Sequence, residues 1–232
     1  MKQNNLDAAK DTRRQLQASC EERKTLQGLL FSGDASVLDR QALVMEQCDA
    51  LRVTLPDGKS LLRGQYEALE KLARSNKREV EELLPRITIE GVIVVECDFS
   101  SLGVTTLKGL EGLGTLRKVN LGHNRRLSSL KGIPTQAIEA ILAVACGLTG
   151  DLSELRRADR LKQLSVSTNK GLTSLKGLPM QAIERLLANQ CDLTGDHLFL
   201  KEALNLSELS IEGNPRLKLD LRKLRRSVMV YR

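Results

Sequence analysis

The sequence has no tryptophan, two tyrosines and three phenylalanines, so aromatic residues make up only 2% of its 232 residues. Surfaces that bind single-stranded nucleic acid by base stacking need aromatic platforms, and this chain has almost none. The composition suits a core of stacked Leu, Ile and Val instead. A chain of this length can bury about 70% of its unfolded surface, so it needs no disulfides to form a core.

Clusters of metal-binding or catalytic side chains are also lacking. The five cysteines are widely spaced, without a CxxC pair or a Cys/His cluster, which argues against zinc. There are two histidines, His123 and His197, and neither has a cysteine or serine at a catalytic spacing. We therefore expect a protein that is not an enzyme and that binds neither metal nor cofactor nor a small-molecule substrate.

No apolar run approaches the ~20 residues of a membrane span, and the first ten residues lack the apolar segment of a signal peptide. These absences predict an intracellular, cytoplasmic protein. The net charge is +7, but it is unevenly distributed. Seven basic residues and a single acid, Asp220, lie between Arg216 and Arg232, so the basic character is concentrated at the carboxyl terminus.

Residues 1–86 are predicted to be all α-helical, in two or three antiparallel helices with breaks at 31–34 and 55–60 and an end at Pro85. Two apolar seams support this, with alternating spacings of four and three residues. They comprise Val37, Gln41, Val44, Cys48, Leu51 and Leu55, then Leu62, Tyr66, Leu69, Ala73, Asn76, Val80 and Leu83. The segment is interpreted either as a cap for the domain that follows or as a coiled coil that dimerises or binds a partner.

One motif returns at a fixed interval in the rest of the chain. Asn124, Asn169 and Asn214 lie 45 residues apart, each at the end of the pattern LxxLxLxxN. The three copies begin with Leu116-Arg-Lys-Val-Asn-Leu, Leu161-Lys-Gln-Leu-Ser-Val and Leu206-Ser-Glu-Leu-Ser-Ile. At these residues the chain resembles the leucine-rich repeat superfamily.

The 45-residue unit is itself double. Segments from Ile89, Ile138 and Ile183 fit the same pattern with Cys in place of Asn, so six repeats are predicted, 27, 22, 23, 22 and 23 residues apart. The resemblance implies that the Asn side chain bonds backbone groups of the loop after each strand and that a buried Cys can take the same position. The predicted ladder consists of Cys97, Asn124, Cys146, Asn169, Cys191 and Asn214.

The resemblance implies an α/β fold over residues 87–232, a right-handed solenoid of six repeats with a parallel sheet on its concave face. The connectors repeat as well: Leu127-Ser-Ser-Leu-Lys-Gly-Ile-Pro matches Leu172-Thr-Ser-Leu-Lys-Gly-Leu-Pro. They are short and contain Gly and Pro, so we expect 3₁₀ turns rather than long helices on the other side. From about residue 216 the chain is interpreted as a basic terminal cap.

Residues between the inward-pointing sites should face the concave side, because side chains alternate along a strand. Apolar and polar rows then alternate, and exposed apolar rows are typical of an interface. The predicted partner is the chain's own amino-terminal segment or another protein; alternatively, long basic side chains cover the apolar rows. The predicted surface comprises Ile93, Val95, Arg117, Lys118, Asn120, Leu142, Val144, Lys162, Ser165 and Leu187.

The carboxyl-terminal basic residues form a second candidate surface, suited to RNA phosphates, acidic protein surfaces or anionic lipid, or simply to solvent. They are Arg216, Lys218, Arg222, Lys223, Arg225 and Arg226. Three functions are consistent with the sequence: a protein-binding scaffold in a larger intracellular, possibly cytoskeletal, assembly; an RNA-contacting component of a ribonucleoprotein; and a leucine-rich repeat regulator that inhibits a partner enzyme.

Overall fold

The protein is described here from a computed structural model, which covers residues 51–220, 222, 224 and 227–232. The chain divides into two compact units, Met1–Leu51 and Arg52–Arg232, and the fold below is that of the second. The predicted helices before Leu51, and with them most of the first apolar seam, lie outside the described residues.

The second unit begins with a β-hairpin, not with the predicted helix. Strands β1 (Arg52–Thr54) and β2 (Ser60–Leu62) pair antiparallel around a tight turn, in which the Gly58 amide donates to the Leu55 carbonyl at 2.9 Å. The helical prediction is therefore wrong for Arg52–Thr54 and for Ser60–Leu62, whereas the predicted break at 55–60 coincides with the turn between them. The sequence Pro-Asp-Gly favours a turn, and the alternation of Val53 and Leu55 also fits a strand.

Helix α1 (Arg63–Ser75) follows the hairpin directly and is shorter than predicted. Its buried face contains Ala68, Leu69, Leu72 and Ala73, which are spaced as an amphipathic helix requires. The helix ends at Asn76, whose side chain donates to the carbonyls of Leu72 and Thr106, each at 2.9 Å. Two short 3₁₀ turns, Val80–Glu82 and Leu84–Arg86, replace the predicted end of the helix.

The domain is a solenoid of about six turns built on one eight-stranded sheet. Strand β3 (Ile87–Glu90) lies at one edge and pairs antiparallel with β4 (Ile93–Asp98). The sheet then continues with parallel strands, one in each turn. They are β5 (Lys118–Asn120), β6 (Ala140–Leu142), β8 (Gln163–Ser165), β10 (Arg185–Leu187), β11 (Glu208–Ser210) and β12 (Met229–Tyr231).

The connectors between these strands contain little regular structure, as the Gly- and Pro-rich sequence predicts. Their described residues include the 3₁₀ turns Leu110–Gly112, Ser153–Leu155 and Leu198–Glu202. Two short strands, β7 (Thr149–Gly150) and β9 (Gly171–Leu172), pair parallel and join successive connectors. Short connectors keep paired positions of successive strands 22 or 23 residues apart from β4 to β11 and 21 apart from β11 to β12, so that equivalent side chains stack on one another.

The core is one continuous column of aliphatic side chains that runs from α1 to the last turn. The middle residue of each short strand points inward, from Val119 through Ile141, Leu164 and Leu186 to Leu209. At the amino-terminal end, α1 covers the first turn: buried Gln65 accepts from the Val94 amide and donates to Thr115 Oγ1, each at 2.7 Å. Hairpin and helix therefore close one end of the column.

Candidate interaction surface

Three buried asparagines link successive turns of the solenoid. Asn169 Nδ2 donates to the carbonyl of Val166 in its own turn at 2.7 Å and to that of Ala143 in the preceding turn at 2.8 Å. Its Oδ1 accepts from the Leu148 amide, also in the preceding turn, at 3.1 Å. Asn124 and Asn214 make the equivalent three bonds. Each asparagine thus satisfies backbone groups that would otherwise be buried without partners.

Cys146 and Cys191 occupy the same position in the alternate turns. The Cys146 thiol donates to the Leu121 carbonyl at 3.1 Å, and the Cys191 thiol donates to the Val166 carbonyl at 3.3 Å. A thiol has one weak donor, so it links the turns with fewer and weaker bonds than an asparagine. Burial raises the pKa of both thiols, which keeps them protonated and able to donate.

The prediction for Cys97 is wrong, and the first repeat is displaced as a result. Cys97 lies opposite Val119 in the sheet, which makes it an inward strand residue, while Leu102 takes the position equivalent to Asn124. The first repeat begins at Val94 instead of Ile89, which replaces the irregular spacing of 27 with 22. The segment from Ile89 imitated the repeat because it is a β-hairpin, turning at Gly91 with φ +64°, and hairpin strands also alternate apolar residues.

The side of the sheet that faces away from the core is called here the outer sheet face, and it corresponds to the predicted concave face. The first and third residues of each parallel strand lie on it, because the middle residue points inward. In chain order its residues are Glu96, Asp98, Lys118, Asn120, Ala140, Leu142, Gln163, Ser165, Arg185, Leu187, Glu208, Ser210, Met229 and Tyr231.

The two residues that the first predicted repeat contributed to the surface, Ile93 and Val95, do not belong to this face. Val95 is only 2% exposed, and Ile93 lies opposite Glu90 in the β3–β4 hairpin. Both predictions followed from the displaced first repeat. The first turn contributes the exposed acids Glu96 and Asp98 instead of apolar residues.

The centre of the outer sheet face is a shallow apolar strip with a polar floor. Leu142 and Leu187 are half-buried and lie on either side of Ser165, which pairs with both strands and is 6% exposed. Val144, two residues after Leu142, is half-buried as well. With strands about 4.8 Å apart, the two leucines are about 10 Å apart. The two leucines flank Ser165, so the apolar surface that a partner could cover is that of the leucines and not of the serine.

Polar residues beside the strip are held in place by bonds to one another. Asn189 Oδ1 accepts from Ser210 Oγ and from the Glu212 amide, each at 2.8 Å. Arg185 Nε donates to Glu208 Oε2 at 2.7 Å. These bonds connect β10 to β11, so this part of the face is fixed before any partner arrives.

The basic residues at the start of the strands form ion pairs with neighbouring turns. Arg117 pairs with Glu90, and Lys162 Nζ lies 4.0 Å from Glu184 Oε1. The side chains of Arg117 and Lys162 therefore contact acids of neighbouring turns, whereas Lys118 is exposed on the outer sheet face. Neither ion pair involves a residue of the apolar strip, so these bonds do not support the alternative that the long basic side chains cover it.

The carboxyl-terminal basic residues are partly neutralised. Arg216 pairs with Asp192 at 2.9 Å and Arg222 with Asp220 at 3.0 Å, whereas Lys218 is exposed. The chain also adds strand β12 to the sheet, beyond the terminal cap that was predicted. The predicted residues Lys223, Arg225 and Arg226 lie outside the described residues.

The described residues hold no group of three His, Cys, Asp or Glu side chains positioned to bind a metal ion, and none of their helices is long and apolar enough to span a membrane. His123 is exposed, whereas His197 is buried in the connector after β10. A cleft of about 580 Å³ lies between the connectors of the first two turns and is lined by Lys108, Ser129 and Lys131, among others.

Comparison with known families and proteins does not assign the chain to a family. No protein-family model matches the chain, and a search of the curated proteins found no match.

Proposed function

We propose that this chain is a leucine-rich repeat protein that acts as a non-enzymatic, protein-binding scaffold through its outer sheet face, within an intracellular assembly. Support for the repeat class comes from the pattern LxxLxLxxN together with the bonds of Asn124, Asn169 and Asn214 to the backbone of adjacent turns. Repeat domains of this kind offer extended surfaces that suit protein partners better than small molecules.

The observation that carries the proposal is the apolar strip of Leu142, Val144 and Leu187 on a face whose polar residues already bond to one another. A partner that covers this strip removes apolar surface from water, which contributes about 25 cal/mol per Å² before the costs of association. Because Asn189 and Arg185 are already bonded within the face, little side-chain ordering is needed on binding.

The test is quantitative affinity purification with the immobilised full-length protein, comparing wild type with the double variant Leu142→Glu, Leu187→Glu. We expect at least one protein whose recovery falls tenfold or more in the double variant. The matched control is Thr173→Glu, Thr194→Glu, which places two carboxylates on exposed connector residues and should leave recovery unchanged. Circular dichroism verifies that each variant is folded. Equal recovery of every bound protein by folded wild type and double variant would contradict the proposal.

The inhibitor hypothesis is a special case of this proposal, in which the partner is an enzyme. The ribonucleoprotein hypothesis is a separate one, and it predicts binding of partners that nuclease treatment abolishes. Of the six carboxyl-terminal basic residues on which it depends, Arg216 and Arg222 already pair with acids, so the outer sheet face has more support as the functional surface.

A further inference from the structure

His197 lies in the connector between β10 and β11, one turn away from Leu175 in the connector between β8 and β10. The side chain is only 4% exposed. Its ring lies 5.3 Å from that of Phe199, centroid to centroid, and the residue adopts a left-handed backbone conformation with φ +43°. The imidazole is therefore enclosed between two successive connectors and is kept away from solvent.

One residue more in this connector explains the position of His197. The connector after β6 reads Leu148-Thr-Gly-Asp-Leu152, whereas the connector after β10 reads Leu193-Thr-Gly-Asp-His197-Leu198. In the shorter version the Leu152 amide donates to the Lys176 carbonyl of the following connector at 2.9 Å. In the longer version the His197 side chain bonds the preceding connector, in addition to the backbone bond from the Thr194 amide to the Thr173 carbonyl at 3.0 Å.

The link requires a neutral imidazole. The Leu175 backbone amide donates to His197 Nε2 at 3.1 Å, so Nε2 must carry a lone pair and the ring proton must be on Nδ1. Protonation of Nε2 would break this bond, because the N–H groups of Leu175 and of the imidazole would then both be donors that point at each other. Nδ1 is buried and makes no hydrogen bond to any described residue, so the ring gains no bond there to offset the loss.

We propose that His197 and the Leu175 amide form a pH-sensitive latch, a bond between the connectors of successive turns that exists while the imidazole is neutral and is lost on its protonation. The connectors involved precede and follow β10, the strand that carries Leu187 of the outer sheet face. Loss of the latch would remove one of the bonds that join these turns and so lower the stability of the domain.

Charged groups around the latch do little to favour the imidazolium. Asp196 precedes His197, Lys176 follows Leu175 on the preceding turn, and Lys218, whose amide bonds the Gly195 carbonyl at 2.8 Å, lies on the next turn with Asp220 beyond it. Burial lowers the pKa of His197 below its ordinary value. The Asp196 carboxylate and the Gly195 carbonyl raise this pKa by smaller amounts. His197 Nδ1 nevertheless makes no hydrogen bond, to the Gly195 carbonyl or to any other described group.

The direction of the pH effect follows from this lowered pKa. Above about pH 6.5, the pKa of a histidine in the unfolded chain, both states are neutral at this position and the latch is intact. Below it the unfolded chain binds a proton that the folded chain resists, so folding becomes less favourable as the pH falls. Over two pH units, from 7.5 to 5.5, the unfolding constant should rise about tenfold from this residue alone.

The test is urea unfolding of the full-length protein at pH 7.5 and pH 5.5. His197→Gln is the key variant, because a glutamine oxygen can accept from the Leu175 amide but does not titrate, and Gln190 shows that glutamine tolerates a left-handed conformation in this solenoid. His123→Gln is the matched control, since His123 is also left-handed but exposed. We expect the unfolding constants of wild type and His123→Gln to rise about tenfold more than that of His197→Gln.

A rise in His197→Gln that equals the wild-type rise would overturn the proposal. The second measurement needs no variant: nitrogen NMR of the wild-type imidazoles reports the tautomer and the titration of each ring. The latch predicts a proton on Nδ1 of His197 and titration of its ring below pH 6.5. A proton on Nε2, or titration at or above pH 6.5, would overturn the proposal even if His197→Gln failed to fold.

Discussion

Asn169 Nδ2 donates to the backbone carbonyl of Ala143, 2.8 Å away and 26 residues earlier in the chain. The bond joins two consecutive turns of the solenoid, and the same side chain bonds two further backbone groups. The side-chain amide of Asn169, a residue of the repeat pattern, therefore bonds the backbone of its own turn and that of the preceding turn. Because each turn contacts only its neighbours, the stability of the domain depends on such links between turns.

Replacement of Asn169 by Ala should destabilise the domain strongly, because it leaves the Ala143 carbonyl and the Leu148 amide buried without these partners. A buried group left without a partner costs about 1–3 kcal/mol, so the expected loss is about 3 kcal/mol in the free energy of unfolding. Chemical denaturation measures it. The control is Asn120→Ala, because the half-buried Asn120 side chain accepts locally from the Gly122 amide at 3.1 Å and bonds the exposed Asp98 carboxylate, so the substitution breaks no bond to the backbone of another turn. A loss below about 1 kcal/mol for Asn169→Ala would contradict the linking role.

The substitution Asn169→Cys should cost less than Asn169→Ala. Cys146 and Cys191 show that a thiol in this position reaches the carbonyl of the preceding turn. A cysteine at 169 would therefore keep one weak bond to Ala143 and fill more of the space than alanine. The same denaturation experiment ranks the two variants, and equal stabilities would mean that the thiol bonds contribute nothing.

The three described cysteines should react slowly with thiol reagents in the folded protein. Burial raises the pKa of Cys97, Cys146 and Cys191, so the reactive thiolate is scarce as well as inaccessible. The measurement is the rate of disulfide exchange with an aromatic disulfide reagent, in a variant in which Cys20 and Cys48 are replaced by Ser. We expect the reaction to proceed rapidly only after addition of denaturant. Rapid modification of any of the three in native buffer would contradict their buried positions.

Docking of α1 on the first turn should be sensitive to a single methyl group at Gly109. This glycine has φ +114°, and a Cβ placed on it would lie 2.5 Å from the backbone nitrogen of Leu72 and 2.7 Å from the carbonyl oxygen of Ala68. Gly109→Ala should therefore push α1 away from the solenoid and destabilise the domain by about 2 kcal/mol or more.

The control for this prediction is Gly114→Ala, because a Cβ at Gly114 meets nothing within 4 Å. Hydrogen exchange of the α1 amides, together with thermal unfolding, distinguishes the two variants. Faster exchange over Arg63–Ser75 is expected only for Gly109→Ala. Unchanged exchange and stability in that variant would show that α1 is not held against the first turn as the structure describes.

Most of the solenoid was predictable because its signal repeats. The pattern LxxLxLxxN occurs three times, at Leu116, Leu161 and Leu206, so a chance match at one of them would not change the predicted fold. The hairpin β3–β4 was missed because it alternates apolar residues as a repeat does, and only Gly91 and the spacing of 27 residues gave a sign of the difference. A preference for constant spacing would have started the first repeat at Val94 and placed Leu102 opposite Asn124.

The outer sheet face was predictable in its central turns, where Asn120, Leu142, Ser165 and Leu187 lie on it, but not at its ends. Strand β12 could not be anticipated, since its short run Met229–Tyr231 follows a dense group of arginines that carries no repeat pattern. The ion pairs Arg216–Asp192 and Arg185–Glu208 were equally hidden. Their partners are 23 or 24 residues apart, and only the register of the turns brings them together.

The most direct test of a protein-binding outer sheet face is site-specific photocrosslinking in the native cell. A photoreactive amino acid is placed in turn at Leu142 and Leu187 on the outer sheet face and at Thr173 and Lys176 on the connectors. The scaffold proposal predicts that both sheet positions crosslink the same protein and that the connector positions do not. Crosslinking of a protein from the connector positions but from neither sheet position would contradict the scaffold proposal.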